Sequence, residues 1–195
     1  MERLEDYLEA IYDIQFIEGK VAKTNDLAKR LNVKPSSVTE MLLKLSEKGY
    51  IKYQPYHGAV LTEKGEKLAR RIKKYNKIFE TFFRKFLKLN EDISKKLSCE
   101  LEHHINDDVA KIICRIISGL CDFCEECLYE SFKLTDASPG VYKVLLAPAV
   151  LAKIGIKPGI KVRITEDKNI IIDNREISVA KDLAPWVVLE PIKEK

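Results

Sequence analysis

The sequence predicts an α+β chain in three parts: a winged helix-turn-helix over 1–70, an all-helical segment over 71–134, and a small β-barrel over 135–195. Three observations carry this. Two short helical segments joined by a tight connection precede a hairpin pattern within the first 62 residues. Apolar residues then recur at helical spacing through Ile117. After Thr135-Asp136-Ala137-Ser138-Pro139-Gly140 the pattern changes to short β-branched runs separated by turn residues.

The first element, Leu4 to Ile14, repeats apolar residues at Leu4, Tyr7/Leu8, Ile11/Tyr12 and Ile14, which predicts an amphipathic helix ending before Gly19. Asp6 and Glu9 fall near the edge of its buried face, where they also read as a solvated acidic flank. Thr24 to Leu31 is a short helix with Thr24 or Asn25 as its cap. Asn32-Val33-Lys34 makes the tight connection. Pro35 opens the next helix at a position where its missing N–H costs nothing, and that helix stops at Gly49. Val38, Met41/Leu42 and Leu45 form its inward stripe; Ser36, Ser37, Thr39, Glu40 and Lys44 face outward.

Small hydroxyl residues at the start of such a helix let it sit deep in the major groove. Tyr50–Gln54, the turn Pro55-Tyr56-His57-Gly58 and Ala59–Thr62 complete the wing. Charge agrees with the pattern. Residues 20–52 carry eight bases against three acids, net +5, whereas residues 1–18 carry one base against six acids, net −5. The basic part attracts phosphate and the acidic part attracts cations. Lys34, Ser36, Ser37, Thr39, Glu40, Lys44, Tyr56 and His57 are the candidate DNA-contacting residues, with double-stranded DNA as the partner.

Thr62 caps a long helix running through Leu68, Ile72, Tyr75, Phe79 and Phe86 to about Leu89. Asn90 restarts a helix that carries Cys99-Glu100-Leu101-Glu102-His103-His104. If this stretch is helical, Cys99, Glu102 and His103 stand at i, i+3 and i+4, on one face. A thiolate, a carboxylate and an imidazole together suit a transition metal of intermediate softness: ferrous iron, manganese, nickel or zinc. A polar helix face with one buried cysteine would show the same spacing. Asn106-Asp107-Asp108 caps a further helix, Val109 to Ile117, whose apolar character suits a homodimer interface.

At 195 residues, 46% hydrophobic and 33% charged, the chain has the composition of a globular protein with a substantial core. No apolar run is long enough to span a bilayer, and the acidic first residues lack a signal-peptide core. The expectation is a cytoplasmic protein without a membrane partner, whose five cysteines are thiols or metal ligands rather than a disulfide framework.

Glu-Asp-Tyr-Leu-Glu-Ala-Ile-Tyr at 5–12, Lys-Pro-Ser-Ser-Val-Thr at 34–39 and Cys99-x-x-Glu102-His103 together resemble the diphtheria toxin repressor and manganese transport regulator family. The resemblance spans roughly residues 1–112. It implies a metal-dependent transcriptional repressor, with two divalent ions bound between the first helix and the dimerisation domain, and a metal-loaded dimer on a palindromic operator. By position it implies Asp6, Glu9, Glu80, Cys99, Glu102 and His103 as metal ligands. This chain departs from the pattern at Asn76 and Lys95, where the family places histidines.

The thiolate moves metal preference toward iron, and the first-helix carboxylates pull back toward manganese, so Fe2+ is expected first and Mn2+ second. The metal-loaded protein is expected to repress metal-uptake genes. His104 is expected beside the ligands or on the surface, not among them.

Cys114, Cys121, Cys124 and Cys127 form a four-thiol set. It reads either as buried thiols on an apolar helical stripe or as a second site, for Zn2+ or for redox sensing. The alternative to a metal-dependent repressor is therefore a thiol-sensing winged-helix transcription factor. No third catalytic group or oxyanion site accompanies Cys99 and His103, so no enzyme is expected.

The C-terminal runs Val141–Leu146, Lys161–Thr165, Ile170–Asp173 and Glu176–Val179, with a short helix from Pro148 to Ile154, predict the barrel. With Gly155-Ile156-Lys157-Pro158-Gly159 and Ile177–Ala184 they resemble the SH3-like domain of ferrous-iron transport protein A.

Overall fold

The structure is a computed structural model that describes residues 4–122 and 129–192. The chain divides into two compact units. The first holds residues 1–77 and 95–105, the second 78–94 and 106–195.

In the first unit, helix α1 (Leu4–Tyr12) continues into a π-turn (Asp13–Ile17) that ends at Gly19, whose φ is +66°. Its inward residues Tyr7, Leu8 and Ile11 are fully buried. They share one core with Leu27 of α2 (Thr24–Leu31) and with Val38, Leu42 and Leu45 of α3 (Pro35–Glu47). Residues of that size, fully buried, contribute about 1.5–3 kcal/mol each. The position of α1 is thus tied to that of α3 by shared packing.

The helix-turn-helix connection turns on Asn32, left-handed at φ +55°. The cap of α2 differs from expectation. Lys23 occupies the N-cap position and no side chain caps it. The wing pairs β1 (Ile51–Gln54) with β2 (Gly58–Leu61). Gly58 is required there, since a Cβ would lie 2.7 Å from the Ala22 carbonyl oxygen, which accepts the Ala59 N–H in a small third strand. Thr62 caps the long helix α4 (Glu63–Thr81) as expected, its hydroxyl accepting the Gly65 N–H. Helix α5 (Glu91–Leu101) starts with its Asn90 cap and supplies the last segment of this unit, 95–105.

The second unit contains a π-turn, Phe82–Phe86, and helix α6 (Asp107–Ile117), capped by Asn106. Its six-stranded antiparallel sheet comprises β3 (Phe132–Lys133), β4 (Gly140–Leu146), β5 (Lys161–Ile164), β6 (Ile170–Ile172), β7 (Arg175–Ile177) and β8 (Val188–Pro191). The order is β3-β8-β4-β5-β6-β7, consistent with an SH3-like domain drawn as an open sheet, not the closed barrel anticipated.

The stretch 135–140, where the sequence pattern changes from helical to β-rich, is part of this domain. Leu134 and Ala137 are fully buried, and Tyr142 donates its hydroxyl to the Ser138 carbonyl. Two ion-pair and aromatic contacts join helical and sheet residues inside the unit. Arg115 binds Glu190 at 2.7 Å, and Phe86 meets Trp186 edge to face at 5.9 Å. Among the described residues no helix is long and apolar enough to cross a membrane.

Candidate metal centre and DNA-binding face

The centre lies wholly within the first unit and gathers residues from α1, α4 and the end of α5. Helix α5 stops at Leu101, so the Cys99 stretch is helical only in part. Glu102 still donates its N–H to Ser98 in the helical manner, whereas His104 closes a tighter turn on Leu101. The helix must end here because Asn106, five residues after Leu101, is already extended as the cap of α6. The effect is to swing His103 under α1.

His103 is buried, its side chain 4% exposed, with both ring nitrogens engaged. Nδ1 lies 2.6 Å from Glu5 Oε2; Nε2 lies 3.0 Å from Asp6 Oδ1 and 3.3 Å from Glu102 Oε1. Glu9, Glu102 and His103 bring one ligand atom each within 4.8 Å of one another.

The electrostatics are those of crowded acids. Burial, then the charge of Glu9, pushes Glu102 up to about 8; Asn76, whose side chain donates toward that carboxylate, opposes the shift. Glu9 is also raised, by burial first. Burial and the neighbouring Glu9 charge thus favour the protonated form of Glu102, which can donate to Glu9. Its other oxygen, Oε2, is buried and accepts no hydrogen bond among the described residues. A bare buried carboxylate oxygen beside a second carboxylate is costly unless a cation meets it.

Cys99 is exposed. Partial burial, then the charges of Glu102, Asp6, Glu9 and Glu100, push its thiol up to about 11. Carboxylates, an imidazole and a thiol, one oxygen of them unsatisfied, fit a divalent transition metal.

Of the six expected ligands, Asp6, Glu9, Cys99, Glu102 and His103 thus fall in one neighbourhood. Glu80 belongs to the second unit, where it is buried. Glu5 and Lys73 join the centre without having been expected there, whereas Asn76 stands at a place where the family resemblance expects a histidine ligand. Of the first two, only Glu5 left a trace in the sequence, standing one helical turn before Glu9. Cys114 is buried and Cys121 half-buried; Cys124 and Cys127 lie outside the described residues.

The expected DNA-contacting residues share the outer surface of α3 and the wing. Lys34, Ser36, Ser37, Glu40 and Lys44 are exposed, and Thr39 is half-buried, its hydroxyl donating to the Pro35 carbonyl at 3.1 Å. Lys44 pairs with Glu40 at 2.6 Å, so phosphate must compete for it. Tyr56, at the wing tip, is fully exposed, with His57 exposed next to it. Leu43, 51% exposed between Glu40 and Lys44, is an outward apolar side chain that the inward stripe did not reveal.

A winged helix-turn-helix with a cation-ready cluster behind its first helix defines a class: DNA-binding proteins governed by a metal. The comparisons agree. Residues 1–59 match the iron dependent repressor N-terminal DNA binding domain, and residues 62–129 match its metal binding and dimerisation domain. An uncharacterized HTH-type transcriptional regulator of Methanocaldococcus jannaschii is 43% identical over 108 residues, covering 55% of this chain and 86% of that one. The HTH-type transcriptional regulator MntR of Bacillus subtilis is 39% identical over 104 residues, 53% of this chain and 71% of that one.

Two solved structures share the fold. The manganese regulator SloR aligns with TM-score 0.55 and 19% identity, covering 98% of this chain and 100% of that one. T. acidophilum IdeR aligns with TM-score 0.55 and 18% identity, covering 98% and 99%. The chain belongs to the iron-dependent repressor family. It is a metal-dependent, DNA-binding transcriptional repressor.

Proposed function

We propose that this chain represses metal-uptake genes in response to ferrous iron, with manganese as the second ion, acting as a homodimer on a palindromic operator. The observation that carries the reading is the buried, unsatisfied Oε2 of Glu102 beside Glu9 and His103. Glu9, Glu102 and His103 would hold the ion, with Asp6 and Cys99 as the further donors. When bound, the metal supplies the positive charge that lets these acids ionise side by side. Cys99 favours iron over manganese, since a thiolate is a poor partner for the harder ion.

The chain's own residues explain how such a site would govern DNA binding. His103 already touches α1 through Glu5 and Asp6, and α1 shares its core with α2 and α3. Without a cation, Glu9 and Glu102 are held together by one shared proton, and ionising both drives them apart. With both satisfied, α1 is fixed and the recognition helix α3 is fixed with it. A dimer then presents two such helices one DNA turn apart.

The test is an anaerobic anisotropy titration against an operator selected from a random duplex library in the presence of Fe2+. The expected result is tight binding with Fe2+ and at least a hundredfold loss with chelator, roughly the 3 kcal/mol at the upper end of allosteric coupling. Equal affinity in both conditions contradicts the proposal.

A further inference from the structure

We propose that Lys73 is a permanent cation of the metal centre and limits it to a single divalent ion. This rests on the metal reading above and goes beyond it. Helix α4 carries Lys73 and Asn76 three residues apart, on one face. Asn76 donates toward the Glu102 carboxylate, so the neutral side chain at this place presents a donor to the centre. The Lys73 ammonium binds Asp13 Oδ1 at 2.6 Å, one turn beyond Glu9 on the same helix run. It is also the strongest countercharge acting on Glu9, ahead of His103.

Lys73 is held in place from several sides. Asp13 is itself fixed by Arg30 of α2, 3.2 Å away, and Arg30 also pairs with Glu18. The Tyr12 ring lies 5.8 Å from the ammonium. One face of the acidic cluster is thereby neutralised by the chain itself. Among the described residues only Glu9, Glu102 and His103 bring three ligand atoms together, which suffices for one ion. A second ion on the Glu9 side would meet the Lys73 charge, beside an Asn76 amide already turned to the Glu102 carboxylate. Like charges that close repel even through solvent.

Removing one or the other partner of the Lys73–Asp13 ion pair should shift metal affinity in opposite directions. The probe is Mn2+ titrated into the full chain at neutral pH and followed by electron paramagnetic resonance. Mn2+ is hard enough that the cysteine-rich segment adds little to the count. The unmodified protein is expected to take up one magnetically uncoupled Mn2+ per chain, lost in Glu102→Gln.

Lys73→Met and Lys73→Gln are expected to tighten that ion roughly fivefold at low salt, the gain shrinking as salt rises. Asp13→Asn, which frees Lys73 to turn onto Glu9, is expected to weaken it by a similar factor. That weakening disappears in the Lys73→Met, Asp13→Asn double variant, and thermal melts establish that each variant is folded. Two spin-coupled Mn2+ ions in the unmodified centre, or neutral variants that bind no tighter, overturn the inference. No bound Mn2+ at all would instead bring down the metal reading, and this inference with it.

Discussion

The acidic centre of the first unit and the sheet domain of the second treat their charges in opposite ways. In the sheet domain, among the described residues, the buried side-chain polar atoms find partners within the chain. Arg115 meets Glu190, Ser131 bonds Ser118 and the Ile116 carbonyl, and the Lys168 ammonium meets the Ala137 carbonyl. At the centre, Glu5, Asp6, Glu9 and Glu102 converge on a single imidazole, and one buried oxygen has no partner. The first arrangement is complete in itself, while the second is complete only with a cation. A region left electrostatically unfinished is where a ligand can change a protein's behaviour.

Substitutions separate the two regions most sharply. Glu102→Gln keeps the side chain's shape but removes its charge, and is expected to cut operator affinity at saturating Fe2+ by a hundredfold or more. The same change should leave the metal-free melting temperature close to that of the unmodified chain, because the glutamine amide can give Glu9 the hydrogen bond that the protonated acid gave. Ile164→Ala, in the core of the sheet, should do the reverse: about 2–4 kcal/mol of stability lost, with operator affinity kept. Denaturant melts and anisotropy on both variants check the contrast. If Glu102→Gln mainly unfolds the chain, the contrast collapses.

The pH response should differ next. Folding raises the Glu102 pKa from its ordinary value near 4.5 to about 8, so the folded state binds more protons within that window. Metal-free stability is then full below the ordinary carboxylate range and declines as pH rises toward 8. An incoming ion must displace that proton, so Fe2+ affinity should climb over the same interval. Calorimetry in buffers of different ionisation enthalpy would count the protons released. A pH-independent affinity would show that Glu102 stays outside the ligand set.

Smaller effects sharpen the assignment. Cys99→Ser should reduce the preference for Fe2+ over Mn2+ by about tenfold and remove the sulfur-to-metal absorption band of the Co2+ protein. Replacing Cys114, Cys121, Cys124 and Cys127 by serine should leave the iron response intact; losing it would favour the thiol-sensing alternative. Arg115→Ala, which removes a half-buried ion pair between α6 and β8, should cost about 1 kcal/mol and leave DNA binding alone.

The parts of the molecule visible in the sequence are those governed by short-range rules. Helices α1 to α3 and the wing followed from periodicity, Pro35 and the turn at Pro55–Gly58. The strands β3 and β8 did not, because Phe132–Lys133 is two residues long and Val188–Pro191 ends in proline. β3 exists because it pairs with β8, and β8 because it also pairs with β4, contacts that no local window contains. At the centre, Cys99, Glu102 and His103 were legible as a spacing. Their true arrangement was not, since α5 ends at Leu101 to make way for the Asn106 cap. Lys73 joins the site through packing between helices, and its own neighbours in the chain say nothing of it.

Hydrogen exchange on the full chain, with and without Fe2+, tests the central claim most directly. Amides of α1 and of residues 99–104 should gain protection together on adding the ion, while β4, β5 and β8 of the sheet domain stay as they were. Unchanged exchange in α1 at saturating Fe2+ would contradict the idea that a cation fixes the first helix.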